Sequence, residues 1–274
     1  MYKCGTISTM KLCKLGGIAM IIDLHSHLIP SVDDGAEDLE KSLELARLAV
    51  SEGVEHMVLT PHHRNGRYLN RKADVLAAVQ QLREDYNAAG IPMKIYASQE
   101  IRINEQFFDD LYNDDLLPLD ESGRYYLIEF PTASIPDYAW SLINEMINQG
   151  ITPVIAHPER NHVFAKDMNL LQKYIEAGCV SQITSSSYVG LYGSKLQDIC
   201  NKMIELNLIH ILASDVHHMK HRPINLEKAF DILRQEHGQE TVDYFQENAR
   251  SIFNGDPVKA RKPQKKRKKF LGLF

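Results

Sequence analysis

Histidine and carboxylate residues recur along this chain at spacings that suit metal coordination. His25 and His27 stand two apart in Asp23-Leu-His-Ser-His27, at the end of an apolar run that reads as a strand. Alternate residues of a strand leave the same face, so both imidazoles can reach one ion, and Asp23 on that face can orient one of them. Asp215-Val-His217 repeats the geometry after a later apolar run. Between these pairs, other apolar runs end on Thr60-Pro-His62, Ser98-Gln-Glu100, Ile128-Glu129-Phe130 and Ala156-His157-Pro-Glu-Arg160. Acids are rarely buried unless paired or coordinating, so packing alone does not account for this distribution. A cluster of divalent ions would activate a water and clamp the oxygens of an in-line displacement, which is the chemistry of phosphate-ester hydrolysis.

Other chemistries lack their residues. A cysteine phosphatase needs Cys and Arg six positions apart, but Met10, Ala19, Ser185 and Leu206 stand six after Cys4, Cys13, Cys179 and Cys200. Those four cysteines show no zinc spacing and read as reduced thiols in a cytoplasmic protein. Walker-type and GxGxxG phosphate loops are absent. Residues 21 to 258 hold all 36 acids beside 20 bases, a formal charge of −16, which disfavours nucleic acid as a partner. No apolar run reaches the roughly 20 residues that span a bilayer, and Leu15 to Ile22 reads as a lead-in to a buried strand.

The elements that must position these side chains follow from periodicity. Seven strands are expected: Ala19 to His25, His56 to Thr60, Lys94 to Ala97, Tyr125 to Phe130, Thr152 to Ala156, Ser181 to Thr184 and Ile209 to Ala213. Amphipathic helices are expected over Asp38 to Ser51, Arg71 to Ala89, Tyr138 to Gln149, Met168 to Ala177 and Leu196 to Asn207, several stopping at a glycine. Alternating strands and helices point to an α/β fold with a parallel sheet or barrel. In a barrel, loops after the C-terminal strand ends share one mouth, so ligands scattered through the sequence would converge there.

The blocks His25-Ser-His27, Asp33-Asp34-Gly35, Thr60-Pro-His62-His63, Gln99-Glu100-Ile101, Ile128-Glu129-Phe130, Ile155 to Arg160 and Ala213 to His217 together resemble the PHP-superfamily, manganese-dependent protein-tyrosine phosphatases of Gram-positive capsule and exopolysaccharide systems. The resemblance runs in order over about residues 20 to 250 and implies a distorted seven-stranded (β/α)7 TIM-like barrel with a three-ion cluster. It places His25, His27, Glu100 and Asp215 on one ion, and Glu100 with Glu129 and His157 on a second. Asp34, His62 and His217 fall on the third. Manganese is the metal the resemblance implies, and mixed imidazole and carboxylate ligation also suits iron or zinc. Arg160 and Arg222 match positions that would bind the phosphoryl group. The implied substrate is a phosphotyrosine protein, in particular a bacterial tyrosine kinase controlling polysaccharide synthesis. A small-molecule phosphatase acting on histidinol phosphate and a non-catalytic metal-bound module are the alternatives.

Around these blocks, Asp33 is expected to cap or turn the loop before the helix near Glu37, and His63, His162, His218 and His221 to lie at the rim. Tyr68, Phe130 and Tyr188 are candidate rim aromatics, while His56, His210 and His237 are expected to be structural or exposed. The phosphatase domain spans residues 20 to 257, after a loose extension over 1 to 19. The basic-hydrophobic tail over 258 to 274 is expected to be mobile from Lys259 and suited to peripheral contact with an anionic membrane. A protein beginning at Met20 is expected to match the full chain in activity and thermal midpoint, and a large loss of either would refute this.

Overall fold

The structure, a computed structural model, describes residues 21–264. The extension over 1 to 19 and the final ten residues lie outside the described residues. The first half of the chain runs β1 (Ile21–Ser26), α1 (Leu39–Ser51), β2 (Val54–Leu59), β3 (His62–His63), α2 (Lys72–Ala88), β4 (Lys94–Ala97), β5 (Glu100–Arg102), α3 (Phe107–Tyr112) and β6 (Tyr125–Glu129). It continues through α4 (Ala139–Asn148), β7 (Thr152–Ala156), a 3-10 turn (Pro158–Arg160), α5 (His162–Lys166), α6 (Met168–Ala177), β8 (Val180–Thr184) and α7 (Ser185–Tyr188). The last elements are α8 (Ser194–Glu205), β9 (Ile211–Ala213), α9 (Leu226–His237) and α10 (Gln239–Asn254).

Every ladder is parallel, in two sheets ordered β1-β2-β4 and β3-β5-β6-β7-β8-β9. Nine segments stand where seven strands are expected, because the second and third are each broken. Thr60-Pro61 separates β2 from β3, and the proline has no N–H to give a ladder. Ser98-Gln99 separates β4 from β5 at the same level. Hydrogen bonds still cross the breaks, from Ser98 N to Leu59 O at 2.8 Å and from Glu100 N to Pro61 O at 3.1 Å. At the other junction, Asp215 N donates to His25 O at 2.8 Å and His27 N to Val216 O at 3.0 Å. The two sheets therefore approach each other at both ends without a continuous ladder.

Alternation along the strands separates two apolar cores. Met57, Ile95, Tyr126, Ile128, Ile155 and Ile183 pack outward against helices. Ile22, Leu24, Val58, Leu127, Val154, Val180 and Ile211 form a second cluster drawn from both sheets, closed by Ala249 and Ile252 of α10. Helices α9 and α10 were not singled out in the sequence pattern, yet α10 supplies this floor. The polar layer of histidines and carboxylates stands at the opposite, C-terminal strand ends.

The tail expectation needs correction over its described part. Lys259 N donates to Asn248 Oδ1 at 3.1 Å, the Arg261 guanidinium lies 4.3 Å from the Tyr244 ring centroid, and Gln264 N donates to Leu206 O at 2.9 Å. The chain thus stays fastened to α10 and α8 as far as Gln264. Among the described residues, no helix is long and apolar enough to cross a membrane.

His210 offers a test of this packing. It is fully buried, and its Nδ1 accepts from Ser181 N at 3.2 Å. Burial pushes its imidazole down to about 4 from an ordinary 6.5. The unfolded chain binds this proton as pH falls below 6.5 and the folded chain only near 4, so stability is lost across that window. The cost at the acid end is on the order of 3 kcal/mol. His210→Asn, which keeps an acceptor for Ser181, is expected to flatten this part of the curve relative to wild type in denaturant titrations between pH 7 and pH 4. An identical pH slope in the two proteins would refute the assignment.

Candidate metal centre

Nine side chains predicted from the strand ends meet at one mouth. His25 on β1 donates from Nδ1 to Gln182 Oε1 at 3.0 Å, while Gln182 Nε2 is committed to Ile183 O at 2.7 Å. His27 donates from Nδ1 to Asp33 Oδ2 at 2.7 Å. Both rings consequently turn Nε2 inward, and those two nitrogens face each other at 3.1 Å. Glu100 Oε2 lies 3.4 Å from each nitrogen, and Asp215 Oδ1 lies 3.3 and 3.4 Å from them. All four residues are buried.

Two further groups adjoin this one. His62 Nδ1 lies 2.8 Å from Glu100 Oε2 and 3.8 Å from Glu129 Oε2. His62 Nε2 lies 3.2 Å from Asp34 Oδ1, and His217 Nε2 is 3.5 Å from the same oxygen. His217 Nδ1 donates to Asp215 O at 3.0 Å, which again leaves Nε2 as the inward acceptor. His157 Nε2 sits 2.7 Å from Glu100 Oε1. Potential ligand atoms lie within 4.8 Å of one another in three sets: His25, His27, Glu100, Asp215; His27, Asp34, His62, His217; and His62, Glu100, Glu129. The first matches the predicted set. In the third, His62 stands where His157 was expected, with His157 on the far oxygen of Glu100.

The donor chemistry fits divalent cations. His62 Nδ1, Glu100 Oε2, Glu129 Oε2, Asp215 Oδ1 and His217 Nε2 are all buried and, although His62 and Arg102 stand within ion-pair reach of the two glutamates, none of the five makes a hydrogen bond of good geometry. Buried polar atoms are normally satisfied, and five orphans converging on one region mark the place of something that accepts lone pairs. Desolvation governs some of the charge states, while neighbouring carboxylates override burial at His27, held well above its usual range, and at His62, lifted to about 10. Burial pushes His217 down to about 3 and His157 to about 4, the latter assisted by Arg160. Burial, then Glu100, lifts the Glu129 carboxyl to about 7 against Arg102. Burial works against ionisation of Asp215, but Arg160 and Arg222 overcome it and hold the carboxyl well below its usual range.

Both predicted arginines converge on Asp215. Arg160 Nη2 and Arg222 Nη2 each donate to its Oδ2, Arg222 at 2.7 Å. They line a hollow of about 310 Å³ together with Asp34, His62, Glu129 and Arg102. Arg102 was missed, although its position two beyond Glu100 on β5 places both side chains on one face. It lies opposite Glu129 in the ladder, with Nη2 at 3.0 Å from Glu129 Oε2.

Several expectations are corrected. Asp23 orients no imidazole: it accepts from Ser214 N at 3.0 Å and from Ser214 Oγ, bolting β1 to the turn after β9. Asp33 does turn its loop, accepting from Gly35 N at 2.9 Å, but its other oxygen holds His27, and Asp38 is the residue that caps α1. Gly35 is needed there because a Cβ would fall 2.0 Å from His27 O. Phe130 packs against Phe164 and Tyr174 in the core, and Tyr188 is buried with its hydroxyl on Glu236. Tyr68 stays at the rim, stacked on His62 with 8° between ring planes, and Phe130, though buried, also lines the hollow beside Glu129. His63 is buried and donates from Nδ1 to Asn70 O at 2.7 Å, while His162, His218 and His221 are at least partly exposed.

A parallel α/β fold that gathers histidines and carboxylates from six strand ends around inward-facing ring nitrogens defines a protein with a candidate metal site. Residues 21–254 match the family described as capsular polysaccharide synthesis, CpsB/CapC, and the chain belongs to that family. It is 40% identical over 255 residues to the tyrosine-protein phosphatase YwqE of Bacillus subtilis, covering 93% of this chain and all of that protein. The tyrosine-protein phosphatase CpsB of Streptococcus pneumoniae is 29% identical over 239 residues, covering 85% and 98%. A solved structure, from work describing YwqE and CpsB as unique metal-dependent tyrosine phosphatases, matches with a TM-score of 0.87 at 39% identity, covering 90% of this chain and 100% of that one.

Asp33→Asn preserves shape while removing the anion that fixes the His27 tautomer. Loss of such an orienting partner typically costs about 10- to 100-fold in metal affinity. Metal content under a chelator buffer, measured by mass spectrometry, is expected to fall accordingly. Unchanged affinity would show that His27 needs no such partner.

Proposed function

We propose that this chain is a metal-dependent phosphatase that hydrolyses phosphotyrosine in proteins. The observation that carries the reading is the inward-facing pair of His25 and His27 Nε2 atoms, shared with Glu100 and Asp215 and bordered by Arg102, Arg160 and Arg222. A site that must hold cations beside three guanidinium groups suits a phosphate ester, and the phosphatase relatives supply the substrate class. The nine ligands are His25, His27, Asp34, His62, Glu100, Glu129, His157, Asp215 and His217, arranged for three ions, with Mn2+ the proposed metal. The ring of seven strand directions, counting β2 with β3 and β4 with β5, is a distorted barrel, occupying residues 20 to 257 as one domain.

Bound divalent ions would supply an activated water and charge neutralisation for the phosphoryl oxygens. The protein's share is positioning. Gln182 and Asp33 hold His25 and His27 in the tautomers that ligate. Asp215 turns one oxygen to those histidines and the other to Arg160 and Arg222, so the guanidinium groups stand beside the metal pocket with their forks oriented. Arg102 neutralises Glu129 at the same wall. The partner we propose is a cytoplasmic bacterial tyrosine kinase tied to polysaccharide synthesis, with peripheral membrane contact through the end of the tail.

The deciding experiment compares wild-type turnover of a phosphotyrosine peptide, a phosphoserine peptide and histidinol phosphate with manganese present. Preference for phosphotyrosine, abolished by chelator, is expected; equal or better turnover of either alternative would overturn the tyrosine assignment. Arg160→Ala and Arg222→Ala are each expected to lower phosphotyrosine kcat/KM on the order of a hundredfold, with metal content retained. Loss of metal in step with activity would reassign the arginines to holding Asp215.

A further inference from the structure

The loop between β3 and α2 carries a cation that the catalytic pocket does not use. Arg64 is clamped by both oxygens of Asp110, Arg71 by Asp115 and Lys72 by Asp114. Arg67, among these four bases, has no carboxylate partner among the described residues and is exposed. Its neighbours in the loop are tied down by acids, so the Arg67 guanidinium is the one of these four left to meet a ligand beside the metal pocket. The turn is built: Asn65 Oδ1 accepts from Arg67 N at 3.0 Å and from Tyr68 N at 2.8 Å, and Gly66 supplies a φ of +90°. Its side chains form a relay from the metal centre outward. The Tyr68 ring stacks on His62 at 6.1 Å between centroids, and the Arg67 guanidinium lies 4.9 Å from the centre of the Tyr68 ring.

Asn65 lines the metal pocket, while Arg64, Gly66, Arg67, Tyr68 and Leu69 line a second hollow of about 290 Å³. Asn104 and Gln106 line that hollow opposite the loop, and Leu69 is 49% exposed. One loop therefore walls both spaces. A phosphotyrosine reaching the ions would lay its neighbouring residues across this wall, since consecutive residues of an extended chain advance about 3.3 Å each.

We infer that Arg67, backed by Tyr68, is a specificity-determining subsite for an anionic group adjoining the phosphotyrosine in the substrate protein. The inference rests on the proposed phosphotyrosine activity and adds the sequence context that the enzyme selects. The free guanidinium takes a carboxylate or a second phosphate, and the amides of Asn104 and Gln106 add donors. The site discriminates between substrates without touching the phosphorus under attack.

Three phosphotyrosine peptides test this: one flanked by Asp and Glu, one by a second phosphotyrosine, and one by Ala and Gln. The wild type is expected to favour at least one anionic peptide over the uncharged one by about two- to fivefold in kcat/KM, the range of an exposed ion pair, with the advantage shrinking at high salt. Whichever anionic peptide is favoured identifies the group read. Arg67→Glu is expected to erase or invert that ratio and Arg67→Lys to keep much of it, both with wild-type metal content. The same ratio in wild type and Arg67→Glu, or no wild-type preference, overturns the subsite while leaving the phosphatase reading intact. Hydrolysis of p-nitrophenyl phosphate but of none of the three peptides overturns the tyrosine reading and this inference with it.

Discussion

Two imidazole Nε2 atoms pointed at each other across 3.1 Å, with two carboxylates alongside, form the constraint on which the rest of the structure depends. Left to themselves these groups repel or demand protons, and each buried unpaired charge costs several kcal/mol. The fold nevertheless fixes them in that arrangement from outside. Gln182 accepts from His25, Asp33 accepts from His27, and the backbone of Asp215 accepts from His217. Each of those bonds removes one ring nitrogen from the centre and commits the other to it. Divalent cations would relieve the stress by turning the same repulsion into ligation, which would tie the integrity of the mouth to its metal content.

The parallel strands divide the labour along their length. Their lower halves supply Ile22, Val58, Leu127, Val154 and Ile211 to a dry cluster sealed by α10, and their upper ends supply the ligands. A rigid apolar floor lets side chains from segments nearly 200 residues apart in sequence hold positions set to fractions of an ångström. The breaks at Thr60-Pro61 and Ser98-Gln99 fall where strands change from floor to site, so that His62 and Glu100 sit on short segments with their own pairing. His157 and Asp215 sit at φ values of 32° and 52°, a left-handed backbone that non-glycine residues adopt at a cost. Such strain is retained where ligand direction matters more than local stability.

Much of this was legible because strand periodicity and strand ends are local signals. The His25/His27 and Asp215/His217 pairs announce a shared face within three residues, and every predicted ligand arrives at the same mouth. Arg102 was equally local and could have been found by extending the two-residue alternation from Glu100. What was not legible depends on distant segments meeting. Gln182 is one of three polar residues in the strand Val-Ser-Gln-Ile-Thr until His25 stands beside it, and Asp23 looks like an orienting acid until Ser214 claims both its oxygens. Asp33 carries two roles, and only the turn is written locally; its grip on His27 exists because Gly35 lets the loop fold back onto that residue. The tail misled for a related reason. A basic composition reads as solvated, while the Asn248 amide, the Tyr244 ring and the Leu206 carbonyl offer it partners that composition does not reveal.

Asp215 links the two halves of the chemistry. One oxygen faces the histidines, and the other collects Arg160 and Arg222, so its charge is balanced twice over. Cations in the centre would draw on the inner oxygen of Asp215 and would loosen its hold on the arginines, because one negative charge would then be shared more ways. A phosphoryl group entering the hollow presents a stronger, multiply charged acceptor to the same two forks. In the proposed phosphatase the arginines would thus be held in reserve on a protein carboxylate where substrate charge appears, and little reorganisation would be needed when it does. That arrangement would make oxyanion binding contingent on metal binding through a single side chain.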